Sequence, residues 1–277
     1  MQALQKHHIV DLFVWVDDAL ASAGQTPTHK NPKGGRPAKL TTSETVAILL
    51  FCSLTAPQKL LKNTWRWVQT NHAEDFNLPG YSKFVAHCHK ALPALCWLLE
   101  QTLDSGAELR FMDSTMLPVC KLIRADRHRV AKGIAAFGRN WQGWHYGLKL
   151  HAACNARGQL AALCFTPANE NDGQQIPHLV NDATTIAVGD GGYTASVMRR
   201  KMWREHGCFI LTPPHPTQKK KLLSQWQYSL LHARPKIECV FDYLKEHLLL
   251  VTSFPRSVNG YAVHYVRTIL AYQLLRG

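Results

Sequence analysis

Acidic residues are scarce in this sequence of 277 residues. Only 19 Asp and Glu residues stand against 32 Lys and Arg residues, which gives a formal net charge of +13 and a pI near 9.5. A charge of this size exceeds what solubility requires of a cytosolic chain and favours a polyanionic partner. Because nucleic acid carries the densest negative charge in a cell, we expect the protein to bind it.

Long hydrophobic runs are absent as well. The best uncharged runs, Val46–Leu54 and Ala91–Leu99, have nine residues each, and a membrane-spanning helix needs roughly 20. The N-terminal segment places Lys6, Asp11 and Asp17 among its apolar residues and has no small-residue cleavage site, so it does not resemble a signal peptide. We therefore expect a soluble, cytoplasmic protein without a membrane partner.

Motifs for zinc, ATP and disulfides are missing. The eight cysteines show no C-x-x-C pair, which favours reduced thiols. No H-E-x-x-H motif occurs, and the segment from Gly133 to Gly138 lacks the Lys-Ser/Thr of a phosphate-binding loop. His87 and His89 would lie about 200° apart on a helix, which opposes a shared metal.

The first half of the chain has the periodicity of helices. Residues 1–105 contain four helix-period segments: Ile9–Ala21, Ser43–Leu54, Trp65–His72 and Val85–Leu103. A basic connector, Asn31–Lys39, carries glycines and prolines but no acid. The second and third segments have spacing like that of a helix-turn-helix, so we expect specific DNA recognition mainly in residues 1–105.

The second half alternates between strands and helices. Strands are predicted at Leu109–Asp113, Gly147–Cys154, Gln159–Phe165, Thr185–Asp190 and Cys208–Thr212, and helices at Asn169–Val180, Thr194–His206 and Pro235–Leu250. The order βββαβαβα is that of a ribonuclease H-like fold, an α/β architecture with a mixed five-stranded sheet. We expect this domain to span residues 106–277, with a last helix, Val258–Leu275, packed beside the sheet.

Two acids are predicted at strand ends. Asp113 ends the first strand, and Asp190 ends the fourth, where Gly191 and Gly192 let the chain turn away from the carboxylate. Ligands of open α/β sheets bind outside the carboxyl ends of strands. Since the first and fourth strands would be neighbours, the two carboxylates should face each other.

A third acid, Glu238, lies on the predicted helix Pro235–Leu250. With Ile237 set at zero and about 100° per residue, Arg234, Lys245 and Glu238 fall at about 60°, 80° and 100°, beside the stripe of apolar residues. A carboxylate between two cations suits a metal ligand whose neighbours hold a phosphate backbone.

Three carboxylates could hold two Mg²⁺ ions, which prefer oxygen ligands, with Mn²⁺ as a substitute. Paired ions stabilise the attacking and leaving oxygens of phosphodiester displacement. From residue types and spacing alone, the alternative is a turn Asp, a strand-end Asp and a solvated Glu without chemistry.

Five ordered motifs resemble those of bacterial insertion-sequence transposases of the DDE type, with the closest likeness to the insertion sequence family 982. They are Asp113-Ser-Thr, Gly147-Leu-Lys-Leu-His151, Thr166-Pro-Ala-Asn169, Gly189-Asp-Gly-Gly-Tyr193 and Arg234-x3-Glu238-x6-Lys245, and the likeness covers about residues 5–275. The resemblance implies a ribonuclease H-like catalytic domain behind a helical DNA-binding region, with Asp113, Asp190 and Glu238 as metal-binding triad. Leu231 stands where the family has Tyr, and Gly191 where it more usually has Lys or Arg.

Other residues are candidates for DNA contact besides Arg234 and Lys245. Lys149 and His151 share one face of a strand, and Arg124, Arg127, Arg129 and Lys132 belong to a basic stretch after the first strand. Trp144 could stack on an unpaired base, although core packing is an alternative. Arg36 resembles a minor-groove arm, and Asp172 is either a fourth acid near the metal or a helix cap.

The sequence thus predicts a transposase that binds double-stranded DNA at the inverted repeats of its element, cleaves it and joins 3′ ends to target DNA. We expect a homodimer or higher oligomer on DNA, associated with the bacterial nucleoid. The alternatives are a ribonuclease H-like nuclease that does not join ends and a regulator with a degenerate catalytic fold.

Overall fold

The computed structural model describes residues 8–24, 37–140, 143–214 and 222–277. The described chain divides into two compact units, one comprising the residues up to Thr102 together with Leu244–Leu275, and the other comprising Leu103–Tyr243 and Arg276. Arg36, with most of the basic connector, lies outside the described residues, as does Trp141. No helix within the described ranges is long and apolar enough to cross a membrane.

The first unit is helical. Its helices are α1 (Ile9–Ser22), α2 (Thr42–Thr55), α3 (Leu61–Asn71), α4 (Tyr81–Lys90), α5 (Leu92–Thr102) and α10 (Val258–Arg276). A capping box of Thr41 and Glu44 starts α2. The single helix predicted over Val85–Leu103 is wrong, because the chain leaves α4 at Ala91, two residues before Pro93, and begins α5 there.

Helices α2 and α10 form the centre of this unit. All residues of 43–53 in α2 except Glu44, and nearly all of residues 260–274 in α10, are buried, as expected for helices that are covered on most sides. The helix predicted over Val258–Leu275 is present as α10 and belongs to the helical unit. There, the fully buried Arg267 donates to the Gln58 carbonyl, and Gln273 donates to the Thr102 carbonyl at 2.7 Å.

The second unit is built on a mixed sheet of six strands. The strands are β1 (Leu109–Pro118), β2 (Ala136–Asn140), β3 (Gly143–Cys154), β4 (Leu160–Pro167), β5 (Ile186–Val188) and β6 (Phe209–Leu211). The order is β2-β3-β1-β5-β6, and β4 also pairs with β3. The predicted mixed sheet is confirmed, but the prediction of five strands is wrong because residues 136–140 pair with β3 as an additional strand.

Strand β1 is anchored at its start by a buried arginine. Arg110 is 1% exposed, and its guanidinium donates to the carbonyl oxygens of Ala107, Leu179 and Ser105 and to Asn181 Oδ1, at 2.6–3.1 Å. A buried charge is tolerated only when hydrogen bonds satisfy it. Arg110 therefore fixes the position of β1 relative to the segment that precedes β5.

Short helices complete the second unit: α6 (Ile176–Leu179), α7 (Ser196–His206), α8 (Gln225–Ala233) and α9 (Pro235–Asp242). The helix predicted over Pro235–Leu250 does begin at Pro235, but its predicted end is wrong, because α9 stops at Asp242. Helical residues already precede Pro235, whose missing N–H separates α8 from α9. After Asp242 the chain forms a π-helical turn over Tyr243–His247.

Candidate active site

Strand pairing brings Asp113 and Asp190 together. β1 and β5 run parallel, with Phe111 opposite Val188, and two further residues along each chain lead to the two acids. The prediction that these strands are neighbours is confirmed. The prediction that Asp113 ends its strand is wrong, since β1 continues to Pro118, and the carboxylate therefore projects from mid-strand.

Asp190 begins the turn that follows β5. Its Oδ1 accepts the Gly192 N–H at 2.8 Å and caps a 3-10 turn over Gly191–Tyr193. The predicted turn after Asp190 is confirmed, and it needs no left-handed backbone, because neither glycine has a positive φ. A Cβ on Gly192 would lie 3.0 Å from Asp190 Oδ1 and 3.3 Å from Asp172 Oδ2. Gly192 therefore leaves room for two carboxylates to approach one another.

Glu238 lies in the first turn of α9, which packs on β1 and β3. The apolar stripe predicted beside it is confirmed, because Ile237, Val240 and Phe241 are buried. Arg234 contacts both acids: its Nη2 donates to Glu238 Oε1, and its Nη1 lies 3.6 Å from Asp113 Oδ2. A guanidinium thus stands between the strand-borne and the helix-borne carboxylates.

The environment of Asp113 makes its charged form costly. Burial raises the pKa of this carboxyl to about 6. The N–H of Ser114, which donates to Asp113 Oδ1 at 2.8 Å, and the Arg234 guanidinium lower the pKa, whereas the Asp190 and Glu238 carboxylates raise it. A mutually repelling set of acids beside a single cation is a site that favours further positive charge.

Lys149 and His151 lie inside the unit rather than on a DNA-facing surface. Lys149 Nζ donates to Asp172 Oδ1 at 3.0 Å and to the Glu170 carbonyl at 2.8 Å. His151 is 0% exposed, with Nε2 2.8 Å from Thr166 Oγ1 and Nδ1 3.5 Å from Asp172 Oδ1. The predicted DNA contact of His151 would require this fully buried side chain to become exposed.

Asp172 is the residue whose position the sequence left open. It does not cap the helix, because Asn171 Oδ1 accepts the Gly173 N–H instead. Lys149 donates to Oδ1 of Asp172. The second oxygen, Oδ2, lies close to Gly192, which is also next to the Asp190 carboxylate. Asp172 is thus a fourth carboxylate close to the predicted triad.

Buried groups beneath the acids are held neutral. Burial lowers the pKa of His151 to about 4, and Lys149 lowers it further while Asp172 opposes the shift. Burial and the carboxylates of Asp172 and Asp113 raise the pKa of Tyr193, whose hydroxyl has no hydrogen-bond partner among the described residues. The acids therefore have two neutral groups next to them in the interior, the His151 imidazole and the Tyr193 phenol.

The donor set suits a hard divalent cation, although the acids are not assembled around one. Carboxylate oxygens are the ligands that Mg²⁺ prefers, and the Arg234 guanidinium already marks a place for positive charge between Asp113 and Glu238. Within the part of the chain that the structure describes, no group of three or more His, Cys, Asp or Glu residues is arranged to hold a metal. Binding would therefore require Arg234 to withdraw.

The remaining candidate DNA contacts differ in exposure. All four cations of the basic stretch are exposed in the 3-10 helix Leu122–Arg127 and the turns after it: Arg124, Arg127, Arg129 and Lys132. Trp144 is 56% exposed beneath the Arg139 guanidinium, so the core-packing alternative is wrong. Lys245 lies in the π-helical turn, where the angle predicted from α-helical geometry does not apply.

Comparison with known families gives one result. A family model described as a transposase DDE domain matches residues 104–258, more than half of the chain. No curated protein matches the chain. The matched segment includes the strands that carry Asp113 and Asp190 and the helix that carries Glu238.

Proposed function

The chain belongs to the transposase DDE-domain family, and from this premise we propose that it is an insertion-sequence transposase of family 982. It would bind the terminal inverted repeats of its element, hydrolyse phosphodiester bonds there and join the exposed 3′ ends to target DNA. The observation that supports the proposal is that Arg234 contacts both Asp113 and Glu238, while Asp190 follows the strand that pairs with the strand of Asp113.

Asp113, Asp190 and Glu238 would hold two Mg²⁺ ions, which Mn²⁺ could replace. When bound, such ions activate the attacking oxygen and stabilise the leaving oxygen of the phosphodiester. Arg234, now shared by Asp113 and Glu238, would leave the carboxylates and contact a phosphate. Its planar guanidinium suits both partners because it offers paired donors to carboxylate and to phosphate oxygens.

We propose that end recognition belongs to the helical unit and that phosphates are bound by the exposed basic stretch around Arg124, Arg127, Arg129 and Lys132. Lys245, Trp144 and Arg36 would add further DNA contacts, and Lys149 would join them on release from Asp172. Because α10 belongs to the helical unit, a fragment of residues 1–105 would lack part of its own core. Recognition should therefore be tested in the whole chain, acting as a homodimer or larger assembly on DNA.

A test of the chemistry replaces each acid by its amide. Asp113→Asn, Asp190→Asn and Glu238→Gln keep the side-chain shape and remove the charge that attracts the metal, so each should abolish cleavage and joining of end DNA. Binding of end DNA, measured separately by fluorescence anisotropy, should persist. Glu246→Gln, an exposed acid after α9, is the matched control and should retain activity.

The same assay separates the alternatives. Cleavage without joined products in the wild-type protein would favour the nuclease, and DNA binding without any metal-dependent cleavage would favour the regulator. Near-normal joining by any one amide variant would show that its residue is wrongly assigned.

A further inference from the structure

Helix α7 carries a basic face outside the candidate active site. Side chains of Arg199, Arg200, Trp203 and Arg204 line a surface groove of about 690 Å³. Ser196 of the same helix also lines it, and its other side is formed by Cys208 together with Phe209 and Ile210 of β6, the last strand in the sheet order. The groove lies within the sheet unit, and α7 begins shortly after the turn that Asp190 caps.

The spacing of these residues explains why they share one face. Three pairs are each four residues apart, Ser196 with Arg200, Arg199 with Trp203, and Arg200 with Arg204, so their side chains lie on adjacent turns of one helical face. Trp203 is 61% exposed. A tryptophan this exposed among arginines contributes little to a core and is available to a ligand.

The positive charge of the groove is not neutralised by its own lining, which contains three arginines and no acid. The nearby acids are bound elsewhere. Glu205 pairs with Lys201 at 3.9 Å, outside the groove, and Asp182 pairs with His206 at 2.6 Å. The groove therefore attracts an anion.

We propose that this groove binds an unpaired strand of DNA. The three guanidiniums would contact successive phosphates, and the Trp203 indole would stack on a base. Stacking on an aromatic side chain requires a base face that duplex DNA hides, whereas arginine and an aromatic side chain together are typical of single-strand sites. The proposal rests on the proposed function only in that DNA is the ligand.

The test measures binding of a labelled oligothymidylate of about 12 nucleotides and of a random duplex, each at several salt concentrations. In the triple variant Arg199→Ala/Arg200→Ala/Arg204→Ala, the log-log salt slope for the oligonucleotide should shrink by about two, since each lost phosphate contact contributes about 0.7. Lys201→Ala removes one positive charge from the same helix but outside the groove, and it should leave the slope unchanged.

Variants of Trp203 test whether the groove binds an unpaired base. Trp203→Ala should weaken oligothymidylate binding by about tenfold and leave duplex binding nearly unchanged, because stacking contributes about 1–3 kcal/mol per base. Trp203→Phe, which keeps an aromatic face, should recover most of the loss. Equal losses on both DNA forms would overturn the assignment to unpaired DNA.

The proposal is wrong if the triple variant, shown to be folded by its thermal melt, keeps the wild-type salt slope. If that variant does not fold, Arg204→Ala alone carries the test, with an expected change of about 0.7. Glu238→Gln separates this proposal from the proposed function, because it should lose cleavage while oligothymidylate binding is retained. Loss of oligothymidylate binding in Glu238→Gln would overturn the groove as an independent site.

Discussion

The two sides of the candidate active site are built differently. On the strand side, Asp113 is 19% exposed and accepts a backbone N–H, and Asp190 is fixed by the turn it caps. On the helix side, Glu238 is 47% exposed, and Arg234 is its one recorded side-chain partner among the described residues. The strand side is thus set by the fold, whereas the helix side depends on a single ion pair.

The surroundings reinforce this difference. Behind the strands, Lys149 and His151 support Asp172 from buried positions. The helix that carries Glu238 begins at a proline and gives way after Asp242 to a π-helical turn, features that interrupt regular helical hydrogen bonding. We infer that the strand side is prearranged and that the helix side adjusts when Arg234 leaves.

The largest stability effect should follow from breaking the strand side. Lys149→Met leaves Asp172 without its cation in a largely buried place, so the free energy of unfolding should fall by about 2 kcal/mol. Lys236→Ala, an exposed cation of α9, should change it by less than about 0.5 kcal/mol. Denaturant titration measures both, and similar small losses would contradict a rigid strand side.

A double variant sharpens that result. Lys149→Met/Asp172→Asn removes both charges, so part of the lost stability should return. If the loss in the free energy of unfolding of the double variant equals or exceeds the summed losses of Lys149→Met and Asp172→Asn, the two charges do not stabilise each other.

The pH dependence of stability should also reveal the strand side. Because burial lowers the pKa of His151 from 6.5 to about 4, the folded chain keeps it neutral in this interval while the unfolded chain takes up a proton. His151 should therefore contribute a loss of stability as the pH drops from 6.5 toward 4, by up to about 1.4 kcal/mol per pH unit, while Asp113, whose pKa is raised to about 6, contributes in the opposite direction.

His151→Gln isolates this contribution, since Gln can still hydrogen bond to Thr166 but does not titrate. The variant should show a shallower loss of stability between pH 6.5 and 4 in urea titrations. Burial also lowers the pKa of His264, to about 3, in the helical unit, and that effect is common to both proteins. Identical pH slopes would mean that His151 is protonated in the folded state.

The helix side should give the smallest stability change but a gain in metal affinity. Arg234→Gln removes the cation that competes for Asp113 and Glu238, so Mn²⁺ should bind the DNA-free protein at least about threefold more tightly, while stability changes by less than about 1 kcal/mol. Lys236→Gln changes the charge equally on the same helix and should not alter affinity. Weaker binding by Arg234→Gln, measured by calorimetry, would show that Arg234 positions the acids instead.

Sequence patterns predicted the parts of this site that depend on local periodicity. The strands around Asp113 and Asp190, their adjacency and the buried stripe beside Glu238 follow from alternation, turn residues and helical spacing. The extent of β1, the additional strand β2 and the break of the last predicted helix depend on pairing with distant residues or on local hydrogen bonding that hydrophobic periodicity does not encode.

The features of the site that the sequence did not predict depend on contacts between residues distant in sequence. Lys149 and Asp172 are 23 residues apart in sequence, and no short motif joins them. The α7 groove could have been found, because arginines at 199, 200 and 204 with Trp203 have the spacing of one helical face. That pattern indicates a ligand only once the exposure of Trp203 is known.

The most direct test of the central claim is the location of Mn²⁺ by anomalous diffraction in crystals of the full-length protein with end DNA. We expect manganese to be bound by Asp113, Asp190 and Glu238, and the Arg234 side chain to have moved from the carboxylates to a phosphate. Manganese bound elsewhere, or Arg234 still between Asp113 and Glu238 in the loaded complex, would contradict it.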